Sequence, residues 1–387
     1  QYIIPKPFDP RLILQIAPAV AKAAMDSGVA TRPIADFDAY RQELELFVYR
    51  SGQLMRPVFE RARKAPVKVA YAEAEDERVL RAVQTVVDEG LAAPVLVGRR
   101  EVIKAKIQDL GLRLDVGGGV EIVDPYADKD LFGPLVADYQ KLVGRRGVPP
   151  TAAERRVQGR RTVAASMLLA SGYVEAALVG GSGDWWQHLK YALPIIPKRD
   201  DVSRVYAMSS LILDNGTLFF CDTHVNVDPT AEQIAECAQL AAEAVRRFGL
   251  TPKAALLSHS SFGASNSPTA RKMREALAIL REQAPELEVD GEMHADAALS
   301  QHLRDRLVAD SPLKGSANLL VMPTLDAANI GLTLLSAATE SLLVGPLLLG
   351  MAKPLHVLIP SVTARGIVNL TALAVSQAGA ERARAAG

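Results

Sequence analysis

Cysteine, aromatic side chains and net charge are all scarce in this sequence, and each shortage excludes something. The 387 residues include two cysteines, Cys221 and Cys237. They are too few for a disulfide framework and are not spaced as metal ligands, so a reducing, cytoplasmic setting is expected and no metal site is. The 44 basic side chains are matched by 44 acidic ones, which argues against nucleic acid or an anionic membrane as a main partner. The longest apolar run, Leu332–Pro354, is broken by Glu340, Gly345, Pro346 and Gly350, so it reads as buried core and not as a membrane span. Nucleotide motifs are missing too. The first strand is followed by AYAEAEDERV, which holds no glycine, and Asp115–Val120 (DVGGGV) precedes a strand where a dinucleotide loop would follow one. Gly180-Gly181-Ser182-Gly183 does follow a strand, but Asp184-Trp185-Trp186 is bulky where a dinucleotide needs close backbone approach. With no GxxxxGK[ST] and no GxSxG either, hydride transfer and NTP chemistry within this chain are not expected.

What is present is regular alternation. Hydrophobic residues make up 49% of the chain, the content of an ordinary globular protein long enough for two or three domains. The opening, QYIIPKPFDPRLILQIAPAVAKAAMDSGVA, has no initiator Met and reads as the tail of something upstream. Two helices, about Pro10–Ser27 and Asp36–Lys64, are expected before any strand. From Val67 the pattern becomes strand, helix, strand. VKVAYAEA is apolar, and Val79, Leu80, Val83, Val86 and Val87 then fall on one helical face. A long helix is expected over Thr151–Ser171, leading into the strand Glu175–Gly181. Asp214-Asn215-Gly216 between two apolar runs signals a hairpin. Helices and strands alternate again from Thr230. The fold class expected is α/β: two doubly wound, three-layer α/β/α domains with a cleft between them, after a helical linker. Residues 1–65 form the linker, 66–204 with 353–387 one domain, and 205–352 the other.

Three segments carry candidate chemistry. In Leu256–Met273 (LLSHSSFGASNSPTARKM) a buried strand meets a Ser/Gly/Asn loop, with Ser267 as N-cap and Pro268 at the first helical position. Such a helix start favours anions, and Lys272 adds charge one turn in; a plain capped loop explains the same residues. Val289–Leu299 and Val321–Gly331 end strands whose loops leave the same sheet edge, so Glu292, His294, Asp296, Asp326 and Asn329 are candidates to converge. No metal-ligand spacing is found among them, and His294 is as well explained as a structural histidine. The third is Lys353–Asn369, KPLHVLIPSVTARGIVN. It has the place of a functional loop, yet between Pro354 and Ser361 only His356 titrates near neutral pH.

Taken in order, EAEDERVLRAV, the SHSSFGAS…KM segment, VDGEMHADAAL, PTLDAANIG and GPLLLGMAKP resemble the phosphotransacetylase (phosphate acetyltransferase) family, from about Val67 to Ala378. The opening segment resembles the end of the NADP-binding domain of bacterial malic enzymes. The combination is similar to the large hybrid malic enzymes, in which a phosphotransacetylase-like part follows the dehydrogenase. That resemblance implies a parent using NADP and a divalent metal to decarboxylate malate oxidatively to pyruvate, with no cofactor in this segment.

The resemblance also explains the apolar loop. The family's loop reads approximately V-N-D-L-S-R-G-C-S-V-E-D-I-V-N. Laid on LHVLIPSVTARGIVN it puts the family's serine on Ile359, its arginine on Pro360 and its aspartate on Gly366. A second family arginine falls on Lys190, which keeps charge but loses the bidentate fork, and another falls on Val143. The fold is expected to persist without the chemistry: no catalytic residues, and a cleft that holds acetyl-CoA or CoA as a regulatory ligand without turnover. Ser258, His259, Ser260, Asn266 and Lys272 are the expected contacts for its anionic or pantetheine groups, with Lys190, Asn329, Lys353, His356 and Arg365 lining the rest. A homodimer is expected, with a higher homo-oligomer in the parent. The competing readings are a purely structural oligomerisation domain and an active phosphate acetyltransferase.

Overall fold

The computed structural model describes residues 10–213, 216–339 and 341–386. The opening nine residues, the hairpin residues Asp214 and Asn215, and Glu340 lie outside the described residues. Among the described residues eleven strands occur: β1 (Lys68–Tyr71), β2 (Ala93–Val97), β3 (Glu121–Val123), β4 (Ala176–Gly180), β5 (Tyr206–Leu213), β6 (Gly216–Cys221), β7 (Lys253–Leu257), β8 (Glu288–Met293), β9 (Leu319–Val321), β10 (Leu342–Leu349) and β11 (Leu355–Leu358). Helices α1 (Pro10–Asp26) and α2 (Phe37–Lys64) come first. Helices α3 (Glu77–Asp88), α4 (Arg100–Asp109), α5 (Lys129–Val143), α6 (Pro150–Gly159), α7 (Arg161–Ala170) and α8 (Trp185–Ala192) accompany β1 to β4. Helices α9 (Ala231–Arg247), α10 (Pro268–Gln283), α11 (Ala295–Leu299), α12 (Gln301–Leu307), α13 (Leu325–Thr339) and α14 (Ala364–Ala386) follow.

The strands form two sheets. One has the order β11-β4-β1-β2-β3 and is parallel throughout. The other has the order β10-β5-β6-β9-β7-β8. Its β6, β9, β7 and β8 run parallel, while β5 is antiparallel to both β6 and β10. The second sheet is therefore mixed. A hairpin joins β5 to β6, with Leu213 paired to Gly216, and only antiparallel neighbours can be joined so tightly.

Local sequence accounts for most elements. Asp36 caps α2 by accepting from the N–H groups of Asp38 and Ala39, which typically stabilises a helix by ~1 kcal/mol. Val79, Leu80, Val83 and Val86 of α3 are buried on the face that their spacing demands. Thr230 and Gln233 make a reciprocal capping box at α9. Helices α2, α3 and α14 cover one face of the parallel sheet, and the apolar core they build continues into α9 and α10 against the second sheet. Helices α5 to α8 cover the opposite face, burying Phe132, Val157 and Leu168.

The long helix expected over Thr151–Ser171 is two helices. Arg160 takes extended backbone (φ −116°, ψ 100°) and separates α6 from α7. Gly159 just before it weakens a continuous helix, and the apolar spacing holds on both sides of the break, so periodicity alone does not reveal it.

Candidate functional site

The loop after β7 is a rigid polar platform. Ser258 Oγ accepts from the Ser260 N–H (3.1 Å), and Ser260 Oγ donates to Glu292 Oε1 (2.7 Å). The same carboxylate oxygen accepts from the Gly263 N–H and from Arg274 Nη1. Glu292 is fully buried. Burial pushes its carboxyl up, but the donors from Ser260 and Gly263 and the Arg274 charge outweigh that and hold it below the usual range. Ser267 caps α10 by accepting from the Ala270 N–H, with Pro268 at the first position, as the sequence indicates.

Beside this loop lies a cavity of about 510 Å³, lined by His259, Ser260, His294 and Arg306 and by the apolar side chains Leu303 and Leu307. His294 Nε2 donates to the His259 carbonyl (2.8 Å), and His259 Nε2 lies 3.2 Å from Ser267 Oγ. Imidazoles, hydroxyls and a guanidinium line it over an apolar rim, together with the Asp296 carboxylate, and such a mixed wall suits an amphipathic ligand.

The other expected contacts do not converge there. Asn266 Oδ1 accepts from Arg274 Nη2. Lys272 Nζ donates to Asp228 (2.6 Å) and to the Pro323 carbonyl (2.9 Å), so its charge is already matched. Asn329 donates to the Thr223 carbonyl (3.2 Å). Strand β7 separates β8 from β9, which keeps Asp326 and Asn329 apart from His294 and Asp296. Lys190 is exposed on α8.

Three residues expected to line a cleft are built into the fold instead. Lys353 Nζ donates to the Leu169 and Ala170 carbonyls (2.8 and 3.2 Å), closing the end of α7. His356 is fully buried in β11. Its Nδ1 accepts from the Leu348 N–H (3.2 Å), so the proton sits on Nε2, 2.8 Å from Gln377 Oε1. Burial lowers its pKa to about 4, leaving the ring neutral. Arg365 lies over the Phe59 ring of α2, 6.0 Å from its centroid, and burial lowers its pKa.

The loop after β11 is closed on itself. Ile359 packs partly buried against both apolar cores. The Pro360 and Val362 carbonyls accept from Arg78 Nη1 (2.6 and 3.0 Å), and Arg78 Nη2 reaches the Gly181 carbonyl (2.9 Å). A Cβ on Gly366 would stand 2.9 Å from Val362 Cγ2, so even the first atom of an aspartate side chain requires a shift. Val143 is buried. Arg78 was not legible as a clamp, because its three acceptors are carbonyls of distant segments. Among the described residues no group of three or more His, Cys, Asp or Glu could hold a metal ion, and no helix is long and apolar enough to cross a membrane.

The two-sheet α/β architecture is that of the phosphotransacetylases. A phosphotransacetylase from Streptococcus pyogenes superposes with a TM-score of 0.77 at 28% identity, covering 84% of this chain and 98% of that one. The family profile "Phosphate acetyl/butaryl transferase" matches residues 53–375, and the chain belongs to that family. It is also similar to longer proteins. An NADP-dependent malic enzyme of Salmonella typhimurium is 50% identical over 98% of this chain and 50% of its own length. An NAD-dependent malic enzyme of Rhizobium meliloti is 52% identical over 97% of this chain and 49% of its own length. The chain thus spans about half the length of these curated relatives.

Proposed function

We propose that this chain is the acetyl-CoA-binding regulatory and oligomerisation part of an NADP-dependent malic enzyme, itself without acyl-transfer activity. The parent reading draws on the likeness to malic enzymes along nearly the whole chain. The parent's oxidation of malate to pyruvate, its NADP and its divalent metal belong to the half outside this chain, in the cytoplasm. Since one similar relative uses NAD by name, the choice of nicotinamide also rests with that half. Residues 66–204 with 353–387, and 205–352, are the two domains of this reading, each around its own sheet.

One contrast carries the proposal. The loop after β11 stands where the family handles the acyl group and phosphate, yet it offers Ile359, Pro360 and Gly366 and is pinned by Arg78. The loops after β7 and β8 keep hydroxyls and imidazoles beside an open cavity. Acyl transfer from a thioester to phosphate needs groups that meet charge developing in the transition state. Removing one such group typically costs about 10²–10³ in rate, and several are gone here. Binding needs only the wall that remains.

Saturating acetyl-CoA is expected to stabilise the protein, by ~2.7 kcal/mol at ~100 times Kd, and a coupled assay is expected to find no acetyl phosphate. In the full-length protein acetyl-CoA is expected to inhibit malate oxidation, because pyruvate feeds acetyl-CoA. Malate or NADP should then weaken acetyl-CoA binding by the same factor, typically ~5–150-fold. Acetyl phosphate formation at ordinary enzyme rates, about 1–10³ s⁻¹, rules the reading out. A purely structural role is the second reading, favoured by the intramolecular commitment of Lys272, Lys353 and His356. For assembly, α13 exposes Ile330 (62%) and Leu334 (68%), an apolar stripe for a homodimer contact.

A further inference from the structure

The chain crosses from the parallel sheet to the mixed one between α8 and β5, and returns between β10 and β11. The two crossings are bonded to each other. The Arg199 N–H donates to the Gly350 carbonyl (2.8 Å) and the Ala352 N–H to the Pro197 carbonyl (2.9 Å), around an antiparallel bridge between Lys198 and Met351. A Cβ on Gly350 would stand 3.0 Å from the Arg204 carbonyl oxygen, and its φ is +78°, so glycine is what lets the crossings lie this close. Helix α9 packs on the mixed sheet and α14 on the parallel one. Between these two helices, over the crossing residues, lies a cavity of about 340 Å³.

Each helix gives the cavity one face. Leu240, Glu243 and Arg247 come from α9 at helical spacing, and Gln377, Ala380 and Glu381 from α14. Leu349 and Met351 make an apolar floor, and Arg199 stands beside it. The lining thus carries two guanidinium groups and two carboxylates. Arg199 forks onto Asp201 with two bonds of 2.9 Å, but the Asp201 side chain is 69% exposed, and so open a pair stabilises little. Arg247 approaches Glu243 only to 3.9 Å, at the long end for an ion pair. Gln377 spends its Oε1 on His356 Nε2, so its amide nitrogen is the donor it can turn to the cavity.

We propose that this cavity binds a small zwitterion, an α-amino acid with an apolar side chain. The charges decide the class. A dicarboxylate would meet the Glu243 and Glu381 carboxylates, and a diamine would meet Arg199 and Arg247. A ligand with an ammonium group at one end and a carboxylate at the other is matched at both. Its apolar remainder lies on Leu240, Leu349 and Met351. The open Arg199–Asp201 pair exchanges one carboxylate for another at little cost. One wall belongs to α9 and the other to α14, so a bound ligand fixes their spacing. It then favours whichever arrangement of the two sheets it binds better. The cavity shares no lining residue with the one beside the loop after β7, and the inference does not rest on the acetyl-CoA reading.

The experiment is calorimetric titration of the whole chain with L-leucine, L-methionine, N-acetyl-L-leucine, L-leucinamide and malate. Leucine or methionine is expected to bind saturably. Blocking either end, as in N-acetyl-leucine or leucinamide, is expected to weaken binding at least ~10-fold, the effect of losing one charge-assisted contact. Glu243→Gln on one wall and Glu381→Gln on the other keep the side-chain shape, and thermal melts check that both fold. Each is expected to weaken the free amino acid at least ~10-fold and to leave leucinamide's weaker binding no stronger. Arg199→Gln is expected to weaken the free amino acid as well. The proposal is overturned if neither amino acid gives heat or raises the melting temperature, or if the blocked ligands bind as tightly as the free ones. Binding of malate in their place, or amino-acid binding that both glutamine variants leave unchanged, overturns it equally.

Discussion

Replacing His356 by glutamine removes a titration whose cost can be stated. The imidazole is buried and neutral, with a pKa lowered from 6.5 to about 4 by burial. An unfolded chain protonates the same ring near its ordinary pKa of ~6.5. Above that value both states are neutral and the group adds no pH dependence. As pH falls below it, the unfolded chain takes up a proton that the folded chain refuses, so folding stability declines until about pH 4, where the folded ring also protonates. The cost is about 2 kcal/mol between about pH 7 and about pH 5, and about 3 kcal/mol by about pH 4. Urea melts of the native protein and His356→Gln across that range give the comparison. The variant is expected to start less stable at neutral pH by about 1–3 kcal/mol, because the buried partners Leu348 N–H and Gln377 are imperfectly satisfied. It is expected to lose about 2 kcal/mol less than the native protein on acidification to about pH 5. His224, also lowered to about 4 by burial, is present in both proteins and cancels. Parallel pH profiles for the two proteins would show that His356 is not a neutral buried clamp.

Three further outcomes follow from the same contacts. The combined variant Ile359→Ser, Pro360→Arg, Gly366→Asp is expected to make no more than a trace of acetyl phosphate. It should also be less stable by about 1–3 kcal/mol through overpacking at Val362; turnover near 1 s⁻¹ or above, about the lower end for enzymes, would show that the loop is less closed than Arg78 makes it. Lys353→Met is expected to destabilise the protein by about 1 kcal/mol or somewhat more through the uncovered α7 carbonyls, while leaving ligand affinity unchanged in calorimetry. Ile330→Arg with Leu334→Arg is expected to halve the mass seen by light scattering if α13 forms the homodimer contact, and an unchanged mass moves that contact elsewhere.

Much of this fold was open to reading, because each element announces itself locally. The valine face of α3, the Ser267-Pro268 start of α10 and the strand-helix alternation depend on neighbours a few positions apart. The site was less open. His356 looked like the lone titratable group in a loop, and only the packing of α14, which brings Gln377 to its Nε2, turns it into core. Lys353 and Lys272 looked like spare charge, but their acceptors lie on segments remote in sequence. Arg160 was hidden inside an apparent long helix, since the apolar spacing persists through the break.

Binding without turnover is open to a single measurement, calorimetric titration of this chain with acetyl-CoA. The expected result is saturable heat with no release of acetyl phosphate when phosphate is present, and weaker binding when His259 and His294 at the cavity wall are changed to alanine. Absence of heat at saturating acetyl-CoA, together with an unchanged melting temperature, would contradict it and leave the chain a scaffold.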